Sequence, residues 1–271
     1  MPELPEVETT CRGIAPHIEN NTITRIVVRN RNLRWPIPSG LNSKLINKKI
    51  ISVRRRAKYL LIETQSGILI IHLGMSGSLR ILPTTEVVEK HDHFEIQFKD
   101  GICLRLRDPR RFGSVLWKKD EPLKHKLLIN LGPEPLDNEF NATLLFEKSR
   151  KRKTTIKQFI MDAKIVVGVG NIYASEALFL SKIHPKRLAG KLTKEQSTAL
   201  TSAIKKILTQ AIKQGGTTLK DFTSSDGKPG YFSQKLKVYN RAGEPCLNCE
   251  KPIKQITLGQ RSTFYCTHCQ Y

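Results

Sequence analysis

The sequence predicts an α+β chain of several domains, and three observations carry that expectation. Between Ile23 and Leu106, short apolar runs alternate with turn signals, the pattern of a β-sandwich or barrel. Beyond the stiff stretch Leu131-Gly132-Pro133-Glu134-Pro135-Leu136 the apolar spacing becomes helical. Near the C-terminus the pairs Cys246/Cys249 and Cys266/Cys269, with 16 residues between them, have the spacing of a four-thiolate zinc site.

The chain opens Met1-Pro2-Glu3-Leu4-Pro5-Glu6. Removal of an initiator Met ahead of a small residue would leave Pro2 as a free secondary amine. An α-amino group has a pKa near about 8, so far more of it is unprotonated at neutral pH than of a lysine amine. Such an amine attacks electrophilic carbon, and a secondary amine leaves a cationic iminium that can accept electrons in an elimination. Glu3 and Glu6 lie within one helical turn of it and could act as general acid or base. By itself this start also fits an ordinary helix N-terminus, with proline in the first turn and acidic residues facing the helix dipole. Val7, Cys11, Ile14 and Ile18 predict a helix over 3–15, which Pro16 should end or kink.

Strands are expected at Ile23–Arg29, at Ile50–Glu63 and Ile68–Leu82 around Gln65-Ser66-Gly67, and in a hairpin joining His93–Phe98 to Ile102–Leu106. Three features at strand ends stand out. The basic run Arg54-Arg55-Arg56-Ala57-Lys58-Tyr59 suits either a solvated edge or a phosphate-binding rim with Lys58 reaching inward. His72-Leu73-Gly74-Met75-Ser76-Gly77 is a glycine-rich turn carrying a Met. Asp108-Pro109-Arg110-Arg111-Phe112-Gly113 pairs an Arg with an aromatic, which is what a wedge entering a base stack requires.

In the second half, Lys148–Lys157 is strongly basic and includes Arg152, and Gly168-Val169-Gly170-Asn171 places Asn171 at or next to a helix start, a natural phosphate site. Thr193-Lys194-Glu195-Gln196 looks like a capping box, opening a helix that Gly215-Gly216 should stop. Residues 217–232 are expected to form a loop able to close over a base. Four thiolates satisfy a tetrahedral zinc and leave no position for water, so the metal would be structural and His268 no ligand. Strands Ile253–Leu258 and Thr263–Tyr265 would set Arg261 at the tip of a zinc-stiffened turn, where it suits a phosphate.

The 46 Lys and Arg against 24 Asp and Glu, a formal charge of +22, call for a polyanionic partner. No basic amphipathic anchor, apolar span or basic-then-apolar leader stands in the sequence, so neither a membrane nor export is expected. Without such a leader, the six cysteines read as reduced thiols or metal ligands.

Five ordered motifs together resemble the formamidopyrimidine-DNA glycosylase family: Pro2-Glu3-Leu4-Pro5-Glu6, Ala57-Lys58-Tyr59-Leu60, His72-Leu73-Gly74-Met75, Asp108 to Gly113, and Gly168 to Tyr173, with the four-cysteine finger as a sixth signal. The resemblance spans the chain. It implies an N-terminal β-sandwich with flanking helices (1–130), a linker (131–147), a helix-two turns-helix domain with a lesion-covering loop (148–235) and a zinc-finger hairpin (236–271). It also implies a cytoplasmic monomer that binds damaged double-stranded DNA and carries one Zn2+. In the family's chemistry Pro2 attacks C1′, Glu3 helps expel the base, and Lys58 and Arg261 donate protons in β- and δ-elimination. His72, Asn171, Lys58 and Arg261 match phosphate contacts, and Met75, Arg110 and Phe112 match the residues that fill the vacated stack. His91 and Arg152 match further DNA contacts, and Glu6 a residue of the lesion pocket. Leu4 and the wedge residues favour the oxidised-purine branch over the endonuclease VIII branch, which prefers oxidised pyrimidines. A zinc-containing DNA-binding regulator and a structural RNA-binding protein are the non-enzymatic alternatives.

Overall fold

A computed structural model of the chain describes residues 2–216 and 236–271, so the expected loop at 217–232 lies outside the described residues. Contacts divide them into two units, residues 2–129 with 214–216, and residues 130–213 with 236–271.

The first unit opens on α1 (Leu4–Ile18), whose Val7, Cys11, Ile14 and Ile18 form one buried stripe. The helix runs through Pro16 instead of ending before it. Proline removes only the bond to the Arg12 carbonyl, and Arg12 is exposed, so water can take that carbonyl. Ile18, fully buried two residues on, anchors the end.

There follow β1 (Ile23–Val28), the short α2 (Leu41–Leu45), β2 (Ile50–Arg56), β3 (Tyr59–Thr64), β4 (Gly67–His72), β5 (Ser78–Pro83), β6 (Asp92–Phe98), β7 (Ile102–Arg107) and β8 (Ser114–Lys118). They make two antiparallel four-stranded sheets, β1-β6-β7-β5 and β2-β3-β4-β8. Leu60, Ile62, Leu69 and Ile71 of one sheet share a core with Phe94, Ile96, Leu104 and Leu106 of the other, which makes the unit a β-sandwich. Each such side chain contributes about 1.5–3 kcal/mol by leaving water.

Two expected strands are each broken in two. The run Ile50–Glu63 folds back at Ala57-Lys58, where Arg56 pairs with Tyr59 and Ala57 takes φ 53°. The run Ile68–Leu82 breaks after His72, and β5 joins the opposite sheet. Apolar alternation continues across both breaks, and Ala57 carries no turn signature, so the pattern alone could not locate the first of them.

The second unit contains α3 (Ala142–Ser149), α4 (Ile156–Met161), α5 (Asn171–Leu180), α6 (Lys194–Lys213), β9 (Lys254–Leu258) and β10 (Arg261–Tyr265). The stretch 131–147, expected as linker, thus runs into α3, whose Leu145 is fully buried. Thr193 and Gln196 make the expected box: the Gln196 N–H donates to Thr193 Oγ1 at 3.1 Å and the Thr193 N–H to Gln196 Oε1 at 3.2 Å. Leu200, Ile204, Ile207, Leu208 and Ala211 bury one face of α6. α5 is apolar nearly all round and is buried from Ile172 to Phe179.

Candidate nucleic-acid interface and zinc centre

At the N-terminus Pro2 is buried, and Glu3 and Glu6 are only 2% and 1% exposed. The Glu3 N–H donates to Glu6 Oε2 at 2.8 Å, so Glu6 completes the first turn of α1 by reaching back over it. Burying two acidic side chains within one turn of Pro2 is costly unless they are engaged, as Glu6 is by the Glu3 N–H. Gly216 lies against this pair; a Cβ there would come within 2.8 Å of Glu6 Oε1.

Lys58 sits in the tight β2–β3 turn, immediately before Tyr59, which pairs across the strands with His72. The Tyr59 and His72 rings lie 4.8 Å apart. Burial, then the charges of Lys58 and Arg34, push His72 down to about 4. The Gly74 N–H donates to His72 Nδ1 at 3.0 Å. His72 is therefore a neutral ring at pH 7 with its proton on Nε2, a donor suited to a phosphate oxygen. Arg34 went unnoticed in the sequence because it stands in an irregular stretch with no motif. It is exposed, near enough to act on His72, and its N–H donates to the Gly113 carbonyl at 3.1 Å.

The two loops expected to carry the wedge are connections between the sheets: β4 leads to β5 through 73–77, and β7 leads to β8 through 108–113. Because β4 pairs with β8 and β5 with β7, both loops emerge side by side at one end of the sandwich. Gly74, at φ 66°, lets them touch; a Cβ would fall 2.4 Å from the Gly113 nitrogen. Met75 is half-buried, Arg110 is exposed, and Phe112 is 44% exposed, with the Arg110 guanidinium 5.0 Å from its ring centroid. An exposed Phe beside an Arg is the arrangement the sequence suggested. His91 is half-buried, its ring edge-on to His93.

In the second unit Asn171 is the first residue of α5, and its amide donates to the Ser262 carbonyl at 2.9 Å, next to Arg261. Arg261 is exposed but is not at the tip as expected: it pairs with Leu258 as the first residue of β10, one place past the observed tip, Gly259-Gln260. Both turn residues have positive φ, 53° and 59°, as a two-residue hairpin requires. Beside Arg261 lies a cavity of about 200 Å³ lined by Lys157, Gln158, Met161 and Asp162. Lys157, which sequence reasoning passed over as one of many lysines, is 1% exposed. Its ammonium donates to Asn171 Oδ1 at 2.7 Å, Thr263 Oγ1 at 2.8 Å and the Ser262 carbonyl at 3.1 Å, tying α4, α5 and the hairpin together. Arg152 stands apart on the exposed turn after α3, where its carbonyl accepts the Gly190 N–H at 3.0 Å.

Among the described residues, Cys246, Cys249, Cys266 and Cys269 place their four sulfurs within 4.8 Å of one another. The Cys246–Cys269 and Cys249–Cys266 separations are 3.9 and 3.4 Å. A tetrahedron with Zn–S bonds of about 2.3 Å has edges of about 3.8 Å, so the set fits zinc. The Cys269 N–H donates to Cys266 Sγ at 3.4 Å and the Asn248 N–H to Cys246 Sγ at 3.5 Å, the contacts that stabilise metal thiolates. The protein carries one structural zinc at this site.

Family models match in the same order as these features. The formamidopyrimidine-DNA glycosylase N-terminal domain matches residues 1–115, the H2TH domain of the same enzyme 131–223, and the zinc finger found in FPG and IleRS 243–270. Formamidopyrimidine-DNA glycosylase of Saccharophagus degradans is 57% identical over 270 residues, covering all of both chains. That of Teredinibacter turnerae is 56% identical over 271 residues, also covering both in full. The crystal structure of the MutM (Fpg) protein from Thermus thermophilus superposes with a TM-score of 0.89 at 35% identity, over 99% of this chain and 98% of that one. A Lactococcus lactis Fpg mutant in complex with DNA containing Fapy-dG gives a TM-score of 0.92 at 34% identity, over 99% of each chain. By fold, finger and full-length identity, the chain belongs to the formamidopyrimidine-DNA glycosylase family.

Proposed function

We propose that the chain is a bifunctional DNA glycosylase and abasic-site lyase of base excision repair. It acts as a cytoplasmic monomer on oxidised purines in duplex DNA, namely 8-oxoguanine opposite cytosine and formamidopyrimidines. The observation that carries the reading is the buried Glu3–Glu6 pair directly behind Pro2 at the head of α1. With Met1 removed, the Pro2 nitrogen attacks C1′ of the damaged nucleotide. The glycosidic bond breaks, and Glu3 serves as the acid that helps the base leave with the bonding pair. Opening of the sugar gives an iminium joining Pro2 to C1′. Loss of a C2′ proton then expels the 3′ phosphate, and a second elimination expels the 5′ phosphate, with Lys58 and Arg261 as proton donors. Neutral His72, Lys58, Asn171 and Arg261 hold phosphates around the extruded nucleotide, while His91 and Arg152 contact DNA further out. Glu6 lines the lesion pocket. Met75, Arg110 and Phe112 fill the stack, and Arg110 faces the orphaned cytosine, whose acceptors suit it.

A duplex with 8-oxoguanine opposite cytosine, labelled at either end of the damaged strand, tests this reading. The expected product is a one-nucleotide gap with phosphate on both sides. An intact strand, or a 3′ unsaturated aldehyde as the stable end, would contradict it. The structure of Lactococcus lactis Fpg with DNA containing an oxidised pyrimidine supports a second, weaker substrate class. Rates on paired purine and pyrimidine lesions rank the two, and a faster pyrimidine rate would reverse the assignment.

A further inference from the structure

Asp108 is fully buried at the start of the second wedge loop. Its Oδ2 accepts the Gly113 N–H at 2.7 Å, and its Oδ1 accepts the Ser76 hydroxyl at 3.1 Å. The Ser76 oxygen, in a residue only 3% exposed, accepts the Arg110 N–H at 3.3 Å. Through its main chain Asp108 reaches further: its N–H donates to the His91 carbonyl at 3.0 Å, and its carbonyl lies 3.0 Å from His93 Nε2. One side chain therefore ties the loop carrying Met75 to both ends of the segment carrying Arg110 and Phe112. Between those ends Arg111 is held at φ 55°, a conformation a non-glycine residue keeps only when its surroundings impose it.

We propose that Asp108, acting with Ser76, is the positioning residue of the wedge, fixing Met75, Arg110 and Phe112 in one mutual arrangement before they meet DNA. The inference rests on the wedge role given to those three residues above. Two loops joined only at their tips could adopt many spacings, and ordering them on insertion would slow entry into the stack. A buried carboxylate with both oxygens hydrogen-bonded favours one arrangement, since alternatives leave a buried polar group unpaired.

The test uses full-length, zinc-loaded protein in single turnovers on 8-oxoguanine:cytosine and on abasic duplexes, with 2-aminopurine beside the lesion to report unstacking. Asp108→Asn keeps the shape but puts an N–H2 where an acceptor is needed. It and Ser76→Ala should each slow unstacking and base release about tenfold, while abasic cleavage changes about twofold or less. Combined with Phe112→Ala, neither should add appreciably to the loss Phe112→Ala causes alone. Equal losses on both substrates, no loss, or losses that multiply with Phe112→Ala would overturn the proposal. If Phe112→Ala slows base release and the knot variants do not, this inference fails alone; if Phe112→Ala spares base release, the wedge reading fails with it. Should Asp108→Asn not fold, Ser76→Ala removes one hydroxyl from the same knot and carries the same expectation and refutation.

Discussion

In the first unit the exposed groups sit on loops that cross between two four-stranded sheets, and in the second on a two-stranded hairpin and a helix start. Sheets with a shared apolar core hold the ends of their loops in place, so the wedge loops need only a small neutral-and-acidic knot at Asp108 and Ser76. A two-stranded hairpin is marginal in water by itself. Around Arg261 that deficit is met by four thiolates for a metal and by the buried Lys157 ammonium with its three acceptors. The contrast shows that a cation can be presented on little structure when ligation and a buried charge supplement a small apolar core, here Phe179, Val238, Ile253 and Phe264.

Removing zinc should break this contrast most severely. Metal binding supplies on the order of 10 kcal/mol to the folding of small zinc fingers. Chelation is expected to loosen the Arg261 turn and sharply weaken DNA binding, with recovery when zinc is restored; titration by fluorescence anisotropy measures it. Stripped protein that binds normally would show that the hairpin holds itself. Lys157→Ala removes a buried ammonium that bridges Asn171, Ser262 and the buried Thr263, and should cost about 2–4 kcal/mol, read as a lower denaturant midpoint at unchanged slope. No change would mean that zinc and the apolar cluster around Phe264 hold the hairpin without it.

On the sandwich side the effects should be smaller. Phe112→Ala should slow base extrusion about tenfold in single turnovers while abasic-site cleavage suffers less, because the proposed wedge role falls before chemistry. Equal loss on both substrates would count against the wedge. The smallest effect concerns His72, which burial, with the charges of Lys58 and Arg34, holds at about 4, below the ordinary 6.5. Below pH 6.5 the unfolded chain takes up a proton that the folded ring refuses. The contribution of His72 is therefore complete above about pH 6.5 and is lost as pH falls toward 4. His72→Gln should flatten that part of the acid profile between those limits in urea titrations. An unchanged slope would mean the ring titrates normally.

How much could be read from the sequence also differs between the two units. The zinc ligands were legible because thiolate spacing is a local constraint that four residues state outright. Pro2, Glu3, Lys58, Arg110 and Phe112 stand out as candidates only through the ordered motifs, since each in isolation suits an ordinary helix start, strand edge or turn. The break at Ala57-Lys58 was hidden because alternation continues through it, and the passage of α1 across Pro16 because the helix gives up only an exposed carbonyl's partner. Lys157 and Asp108 were invisible for another reason. Their importance lies in partners 14 to 106 and 5 to 32 residues away, respectively, and no local pattern marks a lysine or aspartate that folding will bury.

The claim on which the chemistry depends is that the amine of Pro2 is the nucleophile. Borohydride trapping on an 8-oxoguanine:cytosine duplex tests it most directly, with intact mass used first to establish that Met1 is gone. The expected result is a covalent protein–DNA adduct whose peptide map places the link on Pro2. Processed, zinc-loaded protein that binds the duplex yet yields no adduct, or an adduct on a lysine such as Lys58, would contradict it.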